Sequence, residues 1–533
     1  MAVAAPPNRS RTVRKAAKTA PPGKVGMTEL EAVEGLQKLV QASQWMDAWN
    51  AGMEIIAQSP KNWHAHYLTG VAAMNMGNHM ATLHLVCTGR VLAEAVGTPP
   101  AGYYDTMAAA FGTQGSMDEA IGCTLQAMRL DPQPWRYSNL IFNLSDYDSI
   151  PADRMRDAQK EFASLWRPEH CTLLTRDLDP HRRLKIGYVG SDFHRHSAQY
   201  IFGTVFFAHD HDKFHVTCYA GRRERDEVTD AYEHDADEWV PTYDMNDVQL
   251  AERINSDRID ILVDLSGHSA GNRLVTFAMK PAPIQVHAWG YLVGTGLPEM
   301  DYVFGDDVVS PTDWAKDYLV EKPWNLPCCV GFNPPRDAPA VGELPELTNG
   351  YRTYGYLGRA SKITPAVIAE WADILNGDPT SKLMIKSHVY HDAGTRTRIE
   401  AQLWGHSVDA KRIIVREDAT QRMEHLAVYN EIDIALDTFP VGGGVTTLEA
   451  SWMGVPTVTK PREWMPSRIG TSIMKVLGYD GHDPHMSTER LQKIRAELRG
   501  RMNDSVICSP ARYAAAVETA YRGMWMKYVD ENR

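Results

Sequence analysis

Between Asp437 and Glu449 the chain reads Asp-Thr-Phe-Pro-Val-Gly-Gly-Gly-Val-Thr-Thr-Leu-Glu, and no other stretch restricts the fold as tightly. Ahead of it, Ile432, Ile434 and Leu436 alternate with the period of a strand that ends at Asp437. Behind it, Ala450-Ser451-Trp452-Met453 reads as a helix stopped by Gly454 and Pro456. The glycine triplet between strand and helix lets the backbone approach a ligand closely. Thr446 and Thr447 place hydroxyls and amides at the helix start, where the dipole favours phosphate. Glu449, just inside the helix, is placed to accept from a ribose hydroxyl. A glycine-rich connection needed only for tight strand–helix packing has the same letters, so this stretch alone leaves both readings open.

The surrounding chain repeats the strand–helix alternation. Leu184–Val189 reads as a first strand, running into Ser191-Asp192-Phe193-His194-Arg195-His196. Strands follow at Phe214–Tyr219 and Ile259–Asp264, separated by a charged helix around Val248–Ile254. A stretch rich in Pro, Gly and Asp near 331–348 reads as an interlobe linker, and strands restart at 351–356, 383–386, 412–415, 432–437 and 457–459. The alternation predicts an α/β protein of two Rossmann-like lobes with parallel sheets. The boundaries expected are 184–335 for the first lobe, 336–349 for the linker, and 350–533 for the second lobe with a final helix. Ligands belong in the cleft at the carboxyl ends of the strands. His196, His268, Arg359 and Lys362 all fall at such ends. With 20 histidines in the chain, any one of these is more simply structural. Their joint placement, facing the Gly443 loop, marks a site.

Residues 27–150 carry a helical pattern that repeats. Gly77 and Gly115 stand between paired apolar-periodic segments, Ala81 and Ala120 follow them, and Pro60, Pro99 and Pro132 close successive pairs. This is the helix–turn–helix logic of tetratricopeptide-like repeats, an all-α domain whose pairs bury their faces only by stacking. Residues 151–183 read as a helical connector with Phe162, Leu165 and Trp166 on one stripe. Residues 1–26 hold six Lys or Arg, no acid and two Pro-Pro pairs, which predicts a disordered basic tail.

Composition excludes several classes. A net charge of −12 argues against a nucleic-acid binder. Seven cysteines without regular spacing, and no CxxC, suggest a reducing compartment and no zinc. No apolar run approaches membrane-spanning length, and the start of the chain lacks an apolar signal core, so a cytoplasmic protein is expected. Asp235-Ala236-Asp237 matches the DxD of metal-dependent transferases, but its acidic surroundings read as a solvated face.

Several ordered motifs carry a family resemblance. They are Gly187-Tyr188-Val189 through His196, Asp264-Leu265-Ser266-Gly267-His268, Pro281 through Val286, and Met300-Asp301-Tyr302. The second lobe adds Lys362-Ile363-Thr364-Pro365, His425, and Asp437 through Pro456. From about residue 60 onward the chain resembles the protein O-linked N-acetylglucosamine transferase family, with its plant SPINDLY relatives. The resemblance implies a GT-B fold and metal-independent, inverting transfer of a sugar, expected to be N-acetylglucosamine from UDP-GlcNAc, to Ser or Thr of a protein. No cofactor is implied beyond that donor substrate. Lys362 resembles the lysine on the donor diphosphate; Gly443, Gly444, Thr446 and Thr447 lie in the phosphate loop; Glu449 resembles the ribose acid. Arg422 and His425 resemble the residues flanking the uracil, and His196 the histidine proposed as base. His268, Gly290 and Tyr291 fall where sugar and acceptor meet. The repeats are expected to present a protein or peptide acceptor.

Two departures bear on specificity. The family's Gly-Tyr-Pro-Gly-Thr-Thr-Gly is replaced by Gly290-Tyr291-Leu292-Val293-Gly294-Thr295-Gly296, and Arg359 stands where glutamine or asparagine is frequent. The rival readings are a GDP-fucose donor, transfer to Asn, a UDP-GlcNAc 2-epimerase-like enzyme, and an inactive repeat scaffold.

Overall fold

The structure, a computed structural model, describes residues 28–148, 150–311, 318–417 and 421–533. The predicted basic tail, 1–26, lies outside the described residues.

Eight helices come first: α1 Glu29–Gln41, α2 Trp45–Gln58, α3 Trp63–Asn75, α4 His79–Glu94, α5 Ala101–Gln114, α6 Met117–Leu130, α7 Pro134–Ser145 and α8 Ala152–Leu165. They pack as consecutive hairpins. The turn glycines do what the sequence asks of them: Gly77 and Gly115 take φ of +76° and +81°, the left-handed region. Asn62 and Asn78 cap the next helices by accepting from the Ala65 and Ala81 amides. Pro60, Pro99 and Pro132 each fall between helices.

The first sheet holds β1 Leu184–Gly190, β2 Phe214–Ala220, β3 Glu238–Pro241, β4 Ile261–Asp264, β5 Ile284–His287, β6 Tyr302–Gly305 and β7 Lys322–Asn325. Its spatial order is β3-β2-β1-β4-β5-β6-β7, parallel throughout. The second holds β8 Thr353–Tyr356, β9 Lys382–Lys386, β10 Ile413–Arg416, β11 Ile434–Leu436 and β12 Thr457–Val458, also parallel, in the order β10-β9-β8-β11-β12. The order reverses between β1 and β4 and again between β8 and β11. At each reversal the following loops diverge and leave a crevice at the strand ends.

Two expectations need correction. Of the predicted helical connector only α8 is helical; residues 166–183 run without regular structure along the first lobe. Their backbone finds its partners there, Cys171 N donating to Met279 O at 2.7 Å and Leu174 N to Asn255 Oδ1 at 3.2 Å. The final helix, Pro510–Asn532, is expected in the second lobe but packs on the first. Its buried stripe, including Tyr513, Val517, Tyr521 and Trp525, joins the core that holds Tyr188 and Phe206. The hydroxyls of Tyr188 and Tyr521 lie 3.1 Å apart, and Trp525 Nε1 donates to Asp179 O at 3.2 Å.

The repeat helices share a core with the first lobe. Tyr137, Leu140 and Ile141 of α7 and Met155 and Phe162 of α8 cluster with Val189, Leu262, Tyr291 and Leu297. The array is thereby welded to the sheet, its last turns lying over the crevice.

Candidate functional site

A cavity of about 800 Å³ opens between three walls. The first lobe contributes the loops after β1, β4 and β5; the second contributes those after β8, β9 and β11; α5 to α7 close the third side. Both crevices therefore open on one space.

The loop after β11 is built around Asp437. Its Oδ1 accepts from Gly443 N at 2.6 Å and Thr438 N at 2.8 Å, and its Oδ2 from Thr459 Oγ1 at 2.8 Å. Burial raises the Asp437 carboxyl, and these donors and Lys362 oppose the rise. Thr447 Oγ1 donates back to Gly443 O at 3.0 Å. A Cβ on Gly443 would stand 2.6 and 2.7 Å from the Thr446 and Thr447 hydroxyl oxygens, so this fold of the loop requires glycine. Gly444 opens the helix Val445–Trp452 with no side-chain cap. The first amides of a helix have no acceptor within it, so this end offers a cluster of donors to an anion.

Lys362 reaches the same loop from the other side of the reversal. Its Nζ donates to Gly442 O at 2.7 Å. Burial first, and then the neighbouring Arg359 charge, bring its ammonium down to about 8. Arg359 is half exposed, 3.4 Å from Asp146 Oδ1, with its guanidinium 5.1 Å from the centre of the Phe142 ring. Both partners belong to the repeat domain.

Beside the loop stands a second polar group. Arg422 Nη2 and His425 Nε2 lie 3.5 and 3.4 Å from the buried Glu449 carboxylate. The Arg422 guanidinium lies over the Tyr200 ring of the first lobe; burial shifts it below the usual arginine range and the Glu449 carboxylate opposes that shift. Its buried Nε and Nη2 make no hydrogen bond among the described residues. Polar atoms left this way are what a ligand's acceptors satisfy.

On the first-lobe wall His196 is half exposed, its Nδ1 3.5 Å from Asp192 Oδ2. His268 is placed differently: it is buried, and both ring nitrogens are taken. Nε2 meets Thr295 O at 2.8 Å and Nδ1 meets Ser138 Oγ of α7 at 3.1 Å. A carbonyl only accepts, so the proton is on Nε2, and Nδ1 accepts from the serine. Burial holds the ring near 4, neutral at physiological pH. His268 thus pins the Leu292–Gly296 loop to the repeat array, and has no nitrogen left for a substrate in this arrangement. Gln159 of α8 steadies the same loop by donating to Gly294 O at 3.0 Å. Tyr291 stacks on Phe142 with centroids 5.7 Å apart, and a Cβ on Gly290 would overlap the Leu265 carbonyl oxygen.

Of the residues predicted from sequence, His196, His268, Gly290, Tyr291, Arg359, Lys362 and Gly444 line the cavity. Gly443, Thr446, Thr447, Arg422, His425 and Glu449 do not; they form the adjoining group. Sequence reasoning missed Asp437 as the hub of the loop, Tyr200 under Arg422, and Asp146. Tyr200 and Asp146 act through partners far along the chain, and no local pattern announces them; Asp437 holds amides one and six residues on, and its place at the strand end ahead of the glycines was the available signal. One buried trio, Asp306, Cys328 and Cys329, lies within 4.8 Å as metal ligands would. The Asp306 oxygens already accept from the Val308, Val309 and Cys329 amides and the Ser472 hydroxyl, which makes it a structural knot. Among the described residues no helix is long and apolar enough to cross a membrane.

Known proteins share this architecture. The model of glycosyl transferase family 41 matches residues 169–327 and 344–495, more than half of the chain. The probable UDP-N-acetylglucosamine–peptide N-acetylglucosaminyltransferase SPINDLY of Arabidopsis thaliana is 34% identical over 369 residues, 66% of this chain and 40% of that protein. The probable enzyme of the same description named SEC, also from Arabidopsis thaliana, is 29% identical over 372 residues, 64% of this chain and 37% of that one. The chain thus spans well under half the length of these curated relatives. A solved O-GlcNAc transferase of Thermobaculum terrenum superposes with a TM-score of 0.87 at 28% identity, over 96% of this chain and all of that one.

Proposed function

This chain belongs to glycosyl transferase family 41, and from that premise we propose that it moves N-acetylglucosamine from UDP-GlcNAc to a Ser or Thr hydroxyl of a protein acceptor. The observation that carries the reading is the pairing of Lys362 Nζ with the Gly442–Thr447 loop across the β8–β11 reversal. Breaking a glycosyl–phosphate bond builds negative charge on the departing diphosphate. A lysine and an uncapped helix start, fixed in place beforehand, stabilise that charge without reorganising. The acceptor approaches from the repeat wall, and His196, the half-exposed ring on the opposite wall, takes its proton. Arg422, His425 and Glu449 take the nucleoside, the carboxylate meeting the ribose. The seven cysteines are all unpaired, which supports a cytoplasmic site of action.

The test is to offer the purified protein UDP-GlcNAc, UDP-glucose and GDP-fucose separately and follow both protection against heat and sugar transfer to candidate peptides. A donor at a hundred times its Kd adds about 2.7 kcal/mol of stability. Protection by UDP-GlcNAc that Lys362→Met abolishes is the expected result. Protection by GDP-fucose alone would replace the donor, and protection by none would overturn the reading.

A further inference from the structure

The Arg359–Lys362 loop is not held by its own lobe alone. Asp146, at the C-terminal cap of α7, is buried to 2% exposure, and its carboxylate faces this loop. One oxygen accepts from Ser361 Oγ at 3.0 Å; the other lies 3.4 Å from Arg359 Nη2. Two residues on, Asp148 Oδ2 accepts from Ala366 N at 3.0 Å, at the start of the helix Pro365–Gly377.

A carboxylate is poorly placed at a helix C-terminus, where the dipole favours a cation. Burying it there adds a desolvation cost that only its partners offset. α7 alone gains nothing from such a residue, and both partners belong to the second lobe. We propose that Asp146 is a positioning residue of the donor site: from the repeat domain it fixes Arg359 and Ser361, and through them the ammonium of Lys362. This rests on the reading of Lys362 as the donor-diphosphate cation. The repeat array then orders the nucleotide end of the cleft as well as facing the acceptor end. The charged groups around Lys362 come from three elements: Arg359 on its own loop, Asp146 on α7 and Asp437 after β11. His196, Asp192 and His388 line the same cavity. Arg359 opposes the ammonium, and Asp146 and Asp437 support it.

The experiment titrates UDP into the full chain by calorimetry from pH 6.5 to 9.5, for wild type, Asp146→Asn, Arg359→Gln and the double variant. Asparagine keeps the shape of Asp146 and an acceptor for Ser361 while removing the charge. The expected result is a roughly five- to tenfold weaker Kd for Asp146→Asn at pH 7.5, shrinking to less than about twofold in the Arg359→Gln background, as coupled neighbours behave. The alkaline midpoint, at which UDP binding weakens as Lys362 loses its proton, also moves down by about one unit in Asp146→Asn. Equal losses in both backgrounds with an unmoved midpoint would reduce Asp146 to a fold-stabilising residue and overturn the proposal alone. Absence of UDP binding by the folded wild type would overturn the reading of the site, and the proposal with it. Should Asp146→Asn not fold, Ser361→Ala removes one of its two contacts and tests the same point: a several-fold weaker Kd supports the proposal, and an unchanged Kd ends it.

Discussion

Lys362 holds its charge in a place that works against it, and its pH behaviour follows. With the ammonium brought down to about 8 by burial and Arg359, the cation fraction of the free protein falls above that pH. The kcat/KM for the sugar donor is therefore expected to decline with a limb near pH 8, and Lys362→Arg to carry that limb beyond pH 9. Lys362→Met should lower kcat/KM by about 10²–10³-fold, as loss of one preorganised donor does, while the protein stays folded. Stability runs the other way. A lysine whose folded value is depressed is deprotonated first in the native state, so its share of stability rises between pH 8 and the ordinary lysine value. His268 has the opposite window. Its ring, held near 4 and fully buried, stays neutral while the unfolded chain takes up a proton below about 6.5. Between those values about 3 kcal/mol of stability is lost as pH falls. Urea unfolding at pH 7 and pH 4.5 reads this directly, and His268→Gln is expected to remove most of the difference.

At the scale of elements, the strand–loop–helix from β11 into Val445–Trp452 is the part whose form and chemistry coincide. Asp437 accepts two loop amides and a threonine hydroxyl, Thr447 closes onto Gly443, and no side chain fits at 443. Gly443→Ala has either to displace both threonine hydroxyls or to open the turn, at about 1–3 kcal/mol. The expected outcome is a modest fall in Tm with a loss of UDP affinity greater than tenfold, since the helix start loses its aim. An unchanged Kd would show that the loop's conformation is immaterial to the nucleotide. The Leu292–Gly296 segment is held by other elements: α7 through Ser138 and His268, and α8 through Gln159.

Taken whole, the molecule is two sheets with a helical array docked across both. α7 touches the first lobe through Ser138 and Phe142 and the second through Asp146. Farther along, Gln114 Nε2 donates to the buried Asp392 at 2.9 Å, and Arg398 Nε donates to Gln114 O at 3.0 Å. Removing 28–183 would strip Tyr137, Leu140, Ile141, Met155 and Phe162 from the core of the first lobe. That fragment is expected to be insoluble or to bind a hydrophobic dye without a cooperative heat transition. Removing only 28–62, whose small core of Leu36 and Ala48 serves the first helix pairs, is expected to leave the main transition within a few degrees of its original Tm.

The sequence by itself determined the elements with long periods and the turns that demand one residue type. β1, β2, β4 and β8 to β12 were legible from apolar patterning, the hairpins of the array from Gly77 and Gly115, and the strand–loop–helix around Gly442–Gly444 from its glycines and threonines. β3, β5, β6 and β7 went unread: Glu238–Pro241 and Lys322–Asn325 mix charge and proline into the strand, and Ile284–His287 and Tyr302–Gly305 follow segments broken by Pro281, Pro283, Gly296 and Pro298. What stands beside what was decided only by tertiary structure. Asp146 and Ser361 are over two hundred positions apart, as are the lobes that Tyr200 and Arg422 bring together. The final helix crosses to the first lobe because its tyrosines and Trp525 find their apolar and polar partners there. Local preference acts over a few residues, whereas burial and charge pairing are settled only when distant surfaces meet; hence the sequence places His268 at a strand end beside the sugar and acceptor, and only the fold shows both its ring nitrogens engaged, by Ser138 and Thr295.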